Sequence, residues 1–351
     1  MVMNRRNLLG LTGAGALAMA LAAGSAVAQD VTLRLHHFLP PQANVPKLVL
    51  ETWAANVERD SDGRIKTQIF PGMQLGGTPP ELYDQAVDGI ADVIWTVNGY
   101  TPGRFPHTEV FELPFMVEDA RAASYAYWKM YEKYMADADF KDAKIIATWV
   151  HGPGLFHTKT PVTSPADLRG MKIRGGSRTV NALLTRVGAE PIGMPVPQVP
   201  EGLSRGVIDG TTIPWEVTTS LRVAELVGHH TEFEGPGLYT LTFILAMNKS
   251  TYDRMPDDLK AAIDKNSGLE MSIFTGGTQA DADGPARQIA VDRGNSIVTI
   301  SEADAAEWAT IVAPIYEEWV QDMNSKGIDG QALIDEARAL MAEYHETYAK
   351  Q

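Results

Sequence analysis

The chain of 351 residues contains no cysteine. Disulfide frameworks, thiolate nucleophiles and cysteine-bound metals are therefore excluded together. Positive charge is also scarce: 30 Lys and Arg stand against 44 Asp and Glu, a formal net charge of −14. That balance argues against a nucleic-acid partner. An acidic protein that binds an anion needs local positive charge, which turns attention to its arginines. Signatures of catalysis are missing as well. There is no G-x-S-x-G elbow, no G-x-x-x-x-G-K-[ST] phosphate loop and no dinucleotide fingerprint, and no spacing among the acids marks a catalytic pair. Internal repeats and low-complexity tracts are absent.

Long apolar runs are confined to the N-terminus. Arg5 and Arg6 precede a short, glycine-containing apolar stretch, and Ala26-Val27-Ala28 follows with the small residues a signal peptidase cuts after. A signal peptide over residues 1–28 is expected, exported by the twin-arginine or the general secretory route to a periplasmic location. The stretch is too short for a membrane anchor, and the mature chain is expected not to insert in a bilayer. Its removal takes the net charge to −16 and leaves 323 residues, a length that suggests two domains.

What remains alternates between strands and helices. Residues 31–37 alternate like a strand, and Val45, Leu48, Val49, Trp53 and Val57 then recur at helical spacing until Asp62-Gly63. Residues 65–70 read as a second strand. Thr78-Pro79-Pro80-Glu81 is a capping box with proline at the first helical position, and residues 91–98 form a third strand. Such an order implies a parallel sheet with helices on its faces. The loop of residues 98–106 follows that strand's carboxyl end, where open α/β sheets hold their ligands. The aromatics of a helix around Tyr125, Tyr127, Trp128, Tyr131 and Tyr134 read as packing. After a strand at 144–150, His151-Gly152-Pro153-Gly154 reads as a break between domains. The second part repeats the alternation, with strands at 172–174, 207–213 and 297–300. A run from 239 to 248 is long enough to cross back into the first sheet, and a long helical segment covers 269–293.

One strand carries a chemical signal. Lys172-Ile173-Arg174 ends in an arginine followed by Gly175-Gly176. A guanidinium fixed at a strand end offers a rigid fork of donors that fits a carboxylate, and the glycines let backbone come close to what it holds. The bland reading is a solvated or surface-paired arginine.

Further motifs add to this one. They are Ser61-Asp62-Gly63-Arg64-Ile65, Gln74-Leu75-Gly76-Gly77, Gly89-Ile90-Ala91-Asp92-Val93 and Glu112-Leu113-Pro114-Phe115. Later come Asp167-Leu168-Arg169-Gly170-Met171-Lys172-Ile173-Arg174, Gly188-Ala189-Glu190-Pro191 and Gly206-Val207-Ile208-Asp209-Gly210. In this order, over essentially the whole mature chain, they resemble the DctP-type solute receptors of tripartite ATP-independent periplasmic (TRAP) transporters. The resemblance implies two α/β domains joined by crossover strands, a long helix spanning both, and a ligand cleft between them. It places residues 29–151 with about 240–278 in one domain, 152–239 with about 279–325 in the other, and a C-terminal helix over 326–351. It makes Arg174 the clamp on a ligand carboxylate, and a membrane permease with small and large subunits the partner. No cofactor is implied.

The chain also departs from the commonest family pattern. Where many relatives carry G-F-R, it has Gly152-Pro153-Gly154-Leu155-Phe156-His157. Where many carry an asparagine, it has Ile213, then Pro214-Trp215-Glu216. A cleft that loses polar groups and gains Trp95, Tyr100 and Trp215, with Phe38 and Tyr239 as further candidates, favours a flat, apolar ligand such as an aromatic or 2-oxo monocarboxylate. Each of these aromatics has core packing as its alternative. Arg104 reads as a second anion contact or as a loop-fixing ion pair. His37 reads as a ligand contact or as a structural histidine. A C4-dicarboxylate receptor stays open, and would need Arg104 or Arg178 as a second cation. A metal receptor is suggested only by His36-His37 and His229-His230, yet adjacent residues on a strand face opposite ways.

Overall fold

The computed structural model describes residues 31–348; the expected signal peptide lies outside them. Among the described residues, eleven strands form two mixed sheets. They are β1 (Val31–His36), β2 (Ile65–Phe70), β3 (Val93–Val97), β4 (Ala143–Val150), β5 (Leu155–Thr158), β6 (Lys172–Gly175), β7 (Glu190–Gly193), β8 (Gly210–Ile213), β9 (His229–Phe233), β10 (Thr242–Asn248) and β11 (Ser296–Ile300). The first sheet has the order β2-β1-β3-β10-β4, and the second β11-β9-β5-β8-β6-β7. No helix among the described residues is long and apolar enough to cross a membrane.

The first sheet begins as the expected parallel set, β2 beside β1 beside β3. The helix between β1 and β2 runs through Val45–Leu50 into Glu51–Asp60 and buries Val49, Trp53 and Val57. The capping box is closed, with Glu81 accepting from the Thr78 N–H at 2.6 Å. The sheet is not wholly parallel, however. The 239–248 run returns from the other half as β10 and wedges antiparallel between β3 and β4.

In the second sheet β6 pairs parallel with β7 and β8, whereas β5 enters antiparallel between β8 and β9. Neither β5 nor β7 was expected from the sequence. β5 is four residues long, too short to show a period. β7 opens on Glu190-Pro191, and it is tolerated because it is an edge strand, where a missing N–H costs no ladder bond. β8 is shorter than expected because Asp209 leaves the strand, and its carboxylate accepts from the Lys172 N–H at 2.9 Å.

The long helical segment is Leu269–Asp281 followed by Asp283–Asp292. Its first part packs on β4, its second on β11 and the helix Trp215–Leu221, so one rod runs from sheet to sheet. The helix Gly330–Glu343 folds back on the helix Ala120–Met130, where Lys133 and Glu336 pair at 2.8 Å.

Candidate functional site

Strand β6 delivers Arg174 to the junction of the two sheets, 1% exposed. Two backbone carbonyls hold it: Nε donates to Met194 O at 2.9 Å and Nη1 to Thr212 O at 3.1 Å. Among the described residues no carboxylate pairs with it, and Nη2 is buried without a partner. A guanidinium in that state is costly unless an anion completes it. Gly176 leaves the room this needs. A Cβ there would meet Leu241 Cδ1 at 2.6 Å and Arg174 Nη2 at 3.1 Å.

Arg174 opens into a cavity between the sheets. The first sheet and its loops supply Phe38, Trp95, Val97, Tyr100 and Phe243; Tyr239 and Leu241 come from the segment leading into β10. Their rings interlock: Phe38 lies 4.5 Å from Trp95 and 5.7 Å from Tyr100, and Trp149 stacks beneath Phe243 at 5.5 Å. From the second half come Arg174, Ile213, Pro214 and Glu216.

Donors gather at the Arg174 end. The guanidinium acts on Tyr100, Tyr239 and His151 alike. Burial raises both phenols, Tyr239 to about 12, so each keeps its proton near neutral pH. Tyr239 Oη has no partner, and Tyr100 Oη accepts from the Val196 N–H at 2.9 Å, leaving its proton to give. His151 is held down to about 4, mainly by burial, with Arg174 adding to the shift. It is neutral, with Nε2 accepting from the Leu241 N–H at 3.0 Å and Nδ1 facing Gly152 O.

Glu216 stands elsewhere on the wall, 3% exposed. Burial raises its pKa to about 7 against bonds from Gln279 and Asn44. The two ionisable groups have separate partners: the Met194 and Thr212 carbonyls for Arg174, Gln279 and Asn44 for Glu216. Asp283, accepting from the Glu216 N–H at 2.8 Å, is raised to about 8, chiefly by burial.

The halves also touch across the cleft. Arg178 pairs with Glu109 and with Asp322, the latter at 2.8 Å. A Cβ on Gly99 would meet Ser177 Cβ at 2.5 Å, so the loop after β3 sits directly against the turn after β6.

Of the residues expected from the sequence, Arg174, Trp95, Tyr100, Phe38 and Tyr239 meet around this cavity. Four others stand apart. Trp215 points into a small cluster with Leu155, Ala224, Ala286 and Ala290, and its Nε1 donates to Glu232 at 3.1 Å. It opens a helix, where one residue of offset turns a side chain by about 100° from its neighbours Pro214 and Glu216. Arg104 pairs with Asp84 at 2.7 Å and covers the Tyr83 ring, which is the loop-fixing alternative. Arg178, the other cation a dicarboxylate would need, is engaged by Glu109 and Asp322. His37 packs 5.8 Å from Trp95, outside the cavity wall, and is lowered to about 4 by burial and then by His36. Among the described residues no three His, Asp or Glu stand together as a metal site. His151, Glu216 and Gln279 were not expected in the wall. His151 sat in a stretch read as a domain break, and Glu216 beside the tryptophan that drew attention.

The sequence profile of the bacterial extracellular solute-binding proteins, family 7 (DctP), matches residues 35–322. A TRAP solute binding protein of Rhodoferax ferrireducens T118, solved with copurified benzoate, is 47% identical and superimposes with a TM-score of 0.88, covering 90% of this chain and 98% of that one. A marine-metagenome TRAP solute binding protein specific for aromatic acid ligands, solved with 3-hydroxybenzoate, is 42% identical, with a TM-score of 0.88 and coverage of 90% and 99%. The C4-dicarboxylate-binding periplasmic protein DctP of Rhodobacter capsulatus is 24% identical over 93% of this chain and 97% of its own.

Proposed function

The chain belongs to the bacterial extracellular solute-binding proteins of the DctP family, and from that premise we propose that it is the receptor of a TRAP transporter for an aromatic or 2-oxo monocarboxylate. The observation that carries this reading is Arg174, buried without an acid and with Nη2 unpartnered, at the end of an aromatic-walled cavity. The ligand carboxylate takes Nη2, with the protons of Tyr100 and Tyr239 as further donors. The ring lies between Phe38, Trp95 and Phe243. Such charge-assisted bonds in a desolvated site exclude neutral solutes.

The chemistry is binding rather than catalysis. Closure is driven by ligand that bridges the halves, since only differential affinity for the closed state shifts the equilibrium. The closed receptor then delivers its ligand to a membrane permease, after export directed by residues 1–28. A dicarboxylate fits this cavity poorly. Arg174 is the cation in its wall, and the wall also carries an acid, Glu216.

A thermal-shift screen of residues 29–351 tests the reading. Benzoates and aryl-2-oxo acids would be set against succinate, malate and pyruvate. Ligand at ~100 times its dissociation constant stabilises by roughly 2.7 kcal/mol. Shifts with aromatic acids are expected. Shifts with dicarboxylates alone would move the assignment to that class, and no shift with any carboxylate would refute the receptor reading.

A further inference from the structure

We propose that Glu216 reads a hydroxyl on the ring of the bound acid, so that the receptor prefers hydroxylated aromatic monocarboxylates to unsubstituted ones. This rests on the aromatic-acid reading of the cavity and adds the polar group for which that cavity selects.

The hydrogen-bonding inventory of the wall leads there. Trp149 Nε1, which can only donate, gives its proton to Gln279 Oε1 at 2.9 Å. That fixes the amide, so Gln279 Nε2 must be the group that donates to Glu216 Oε1, at 2.6 Å. Asn44 Nδ2, from the opposite half, donates to Glu216 Oε2 at 3.3 Å. The carboxyl is thus held in one orientation by two partners on separate elements. Above about pH 7 Glu216 is ionised and has about four lone-pair sites, of which Gln279 and Asn44 use two, so capacity remains.

Other acceptors in the wall are committed. His151 Nε2 receives the Leu241 N–H, and Gln279 Oε1 receives Trp149. Trp95 and Arg174 carry donors only. The phenols lie within reach of Arg174, at the carboxylate end. Apart from the phenols, Glu216 is the wall side chain with acceptor capacity left, and its neighbours Ile213, Pro214 and Val217 are apolar. Each Glu216 oxygen already takes one donor, and a ring bearing only C–H or methyl adds none. A ring hydroxyl supplies a further donor, in a charge-assisted bond that the methyl ring lacks.

Calorimetric titration of residues 29–351 with benzoate, 3- and 4-hydroxybenzoate, and 3- and 4-methylbenzoate as matched-size controls tests this. At least one hydroxybenzoate should bind about 10–100-fold more tightly than its methyl counterpart. Glu216→Leu should bring the two to equal affinity. If that variant fails to fold, Glu216→Gln should narrow the preference by roughly tenfold, because a neutral amide accepts more weakly than a carboxylate. Equal affinities in the parent, or a preference that survives in the folded variants, would overturn the assignment to Glu216. Benzoate binding without hydroxyl preference would sink this inference alone. Failure of every aromatic acid, benzoate included, would sink the underlying receptor reading with it.

Discussion

The two walls of the cleft are built by the same alternation of strands and helices, yet they do different chemistry. The first sheet presents rings: Phe38, Trp95, Tyr100 and Phe243. The second half presents ionisable groups, Arg174 at a strand end and Glu216 at the start of the helix after β8. Apolar contact between rings is worth ~0.5–1.5 kcal/mol per pair beyond burial. A desolvated charge pair decides far more per residue, because the unpaired state is so unfavourable. One wall therefore sets shape, and the other sets which classes of solute are admitted.

That division orders the expected effects of substitution. Arg174→Ala should weaken binding of an aromatic acid by about 2–5 kcal/mol in a calorimetric titration. Thermal unfolding of the ligand-free protein should move little by comparison, because the lost group is a buried charge without an acid. If affinity survived, the division of labour between the walls would be wrong.

Next comes pH, acting through buried carboxyls on both sides of the cleft. Glu216 and Glu112 are raised to about 7 and Asp283 to about 8, all chiefly by burial. A carboxyl whose folded pKa lies above its unfolded value contributes stability that is full at low pH and lost as pH rises through the folded pKa. The buried histidines act oppositely. His37, His151 and His230 are lowered to about 4, so their contribution is present above about 6.5 and is lost as pH falls towards 4. Above pH ~7.5, where the unfolded histidines have also lost their protons, the carboxyls act alone. Ligand-free protein should lose on the order of 1 kcal/mol as pH rises from there to ~9, a fall of a few °C in Tm. Asp283→Asn should flatten the fall, and an unchanged slope would remove Asp283 from its cause.

Smaller effects belong to the ring wall. Phe38→Leu should cost an aromatic acid roughly 0.5–1.5 kcal/mol of affinity and leave the carboxylate requirement untouched. Smallest of all, Arg104→Ala should leave affinity unchanged and lower stability by at most about 1 kcal/mol, as expected of a partly exposed ion pair. A large loss of affinity there would restore the second-anion reading.

Much of this was legible in one dimension. The capping box at Thr78, the first three strands and the long β10 run all announce themselves by period, by turn residues or by length. Arg174 stood out once the strand-end arginine and its two glycines were set beside the family motifs around them, since the pattern alone also suits a solvated arginine. The short strands β5 and β7 gave no such signal, since four residues carry no period and their pairing comes from neighbours far along the chain.

Residue type and local spacing settled which segments become strands or helices and which cation could meet an anion. Direction was another matter. Trp215 and Glu216 are adjacent, yet helical geometry sends one into a cluster with Leu155 and the other into the cavity. Arg104 and Arg174 are the same residue type, and only the meeting with Asp84 or with the Met194 and Thr212 carbonyls separates a loop tie from a binding group. Those outcomes depend on which groups arrive from distant positions to fill or leave open a side chain's hydrogen bonds, and that is determined by packing, not by local sequence.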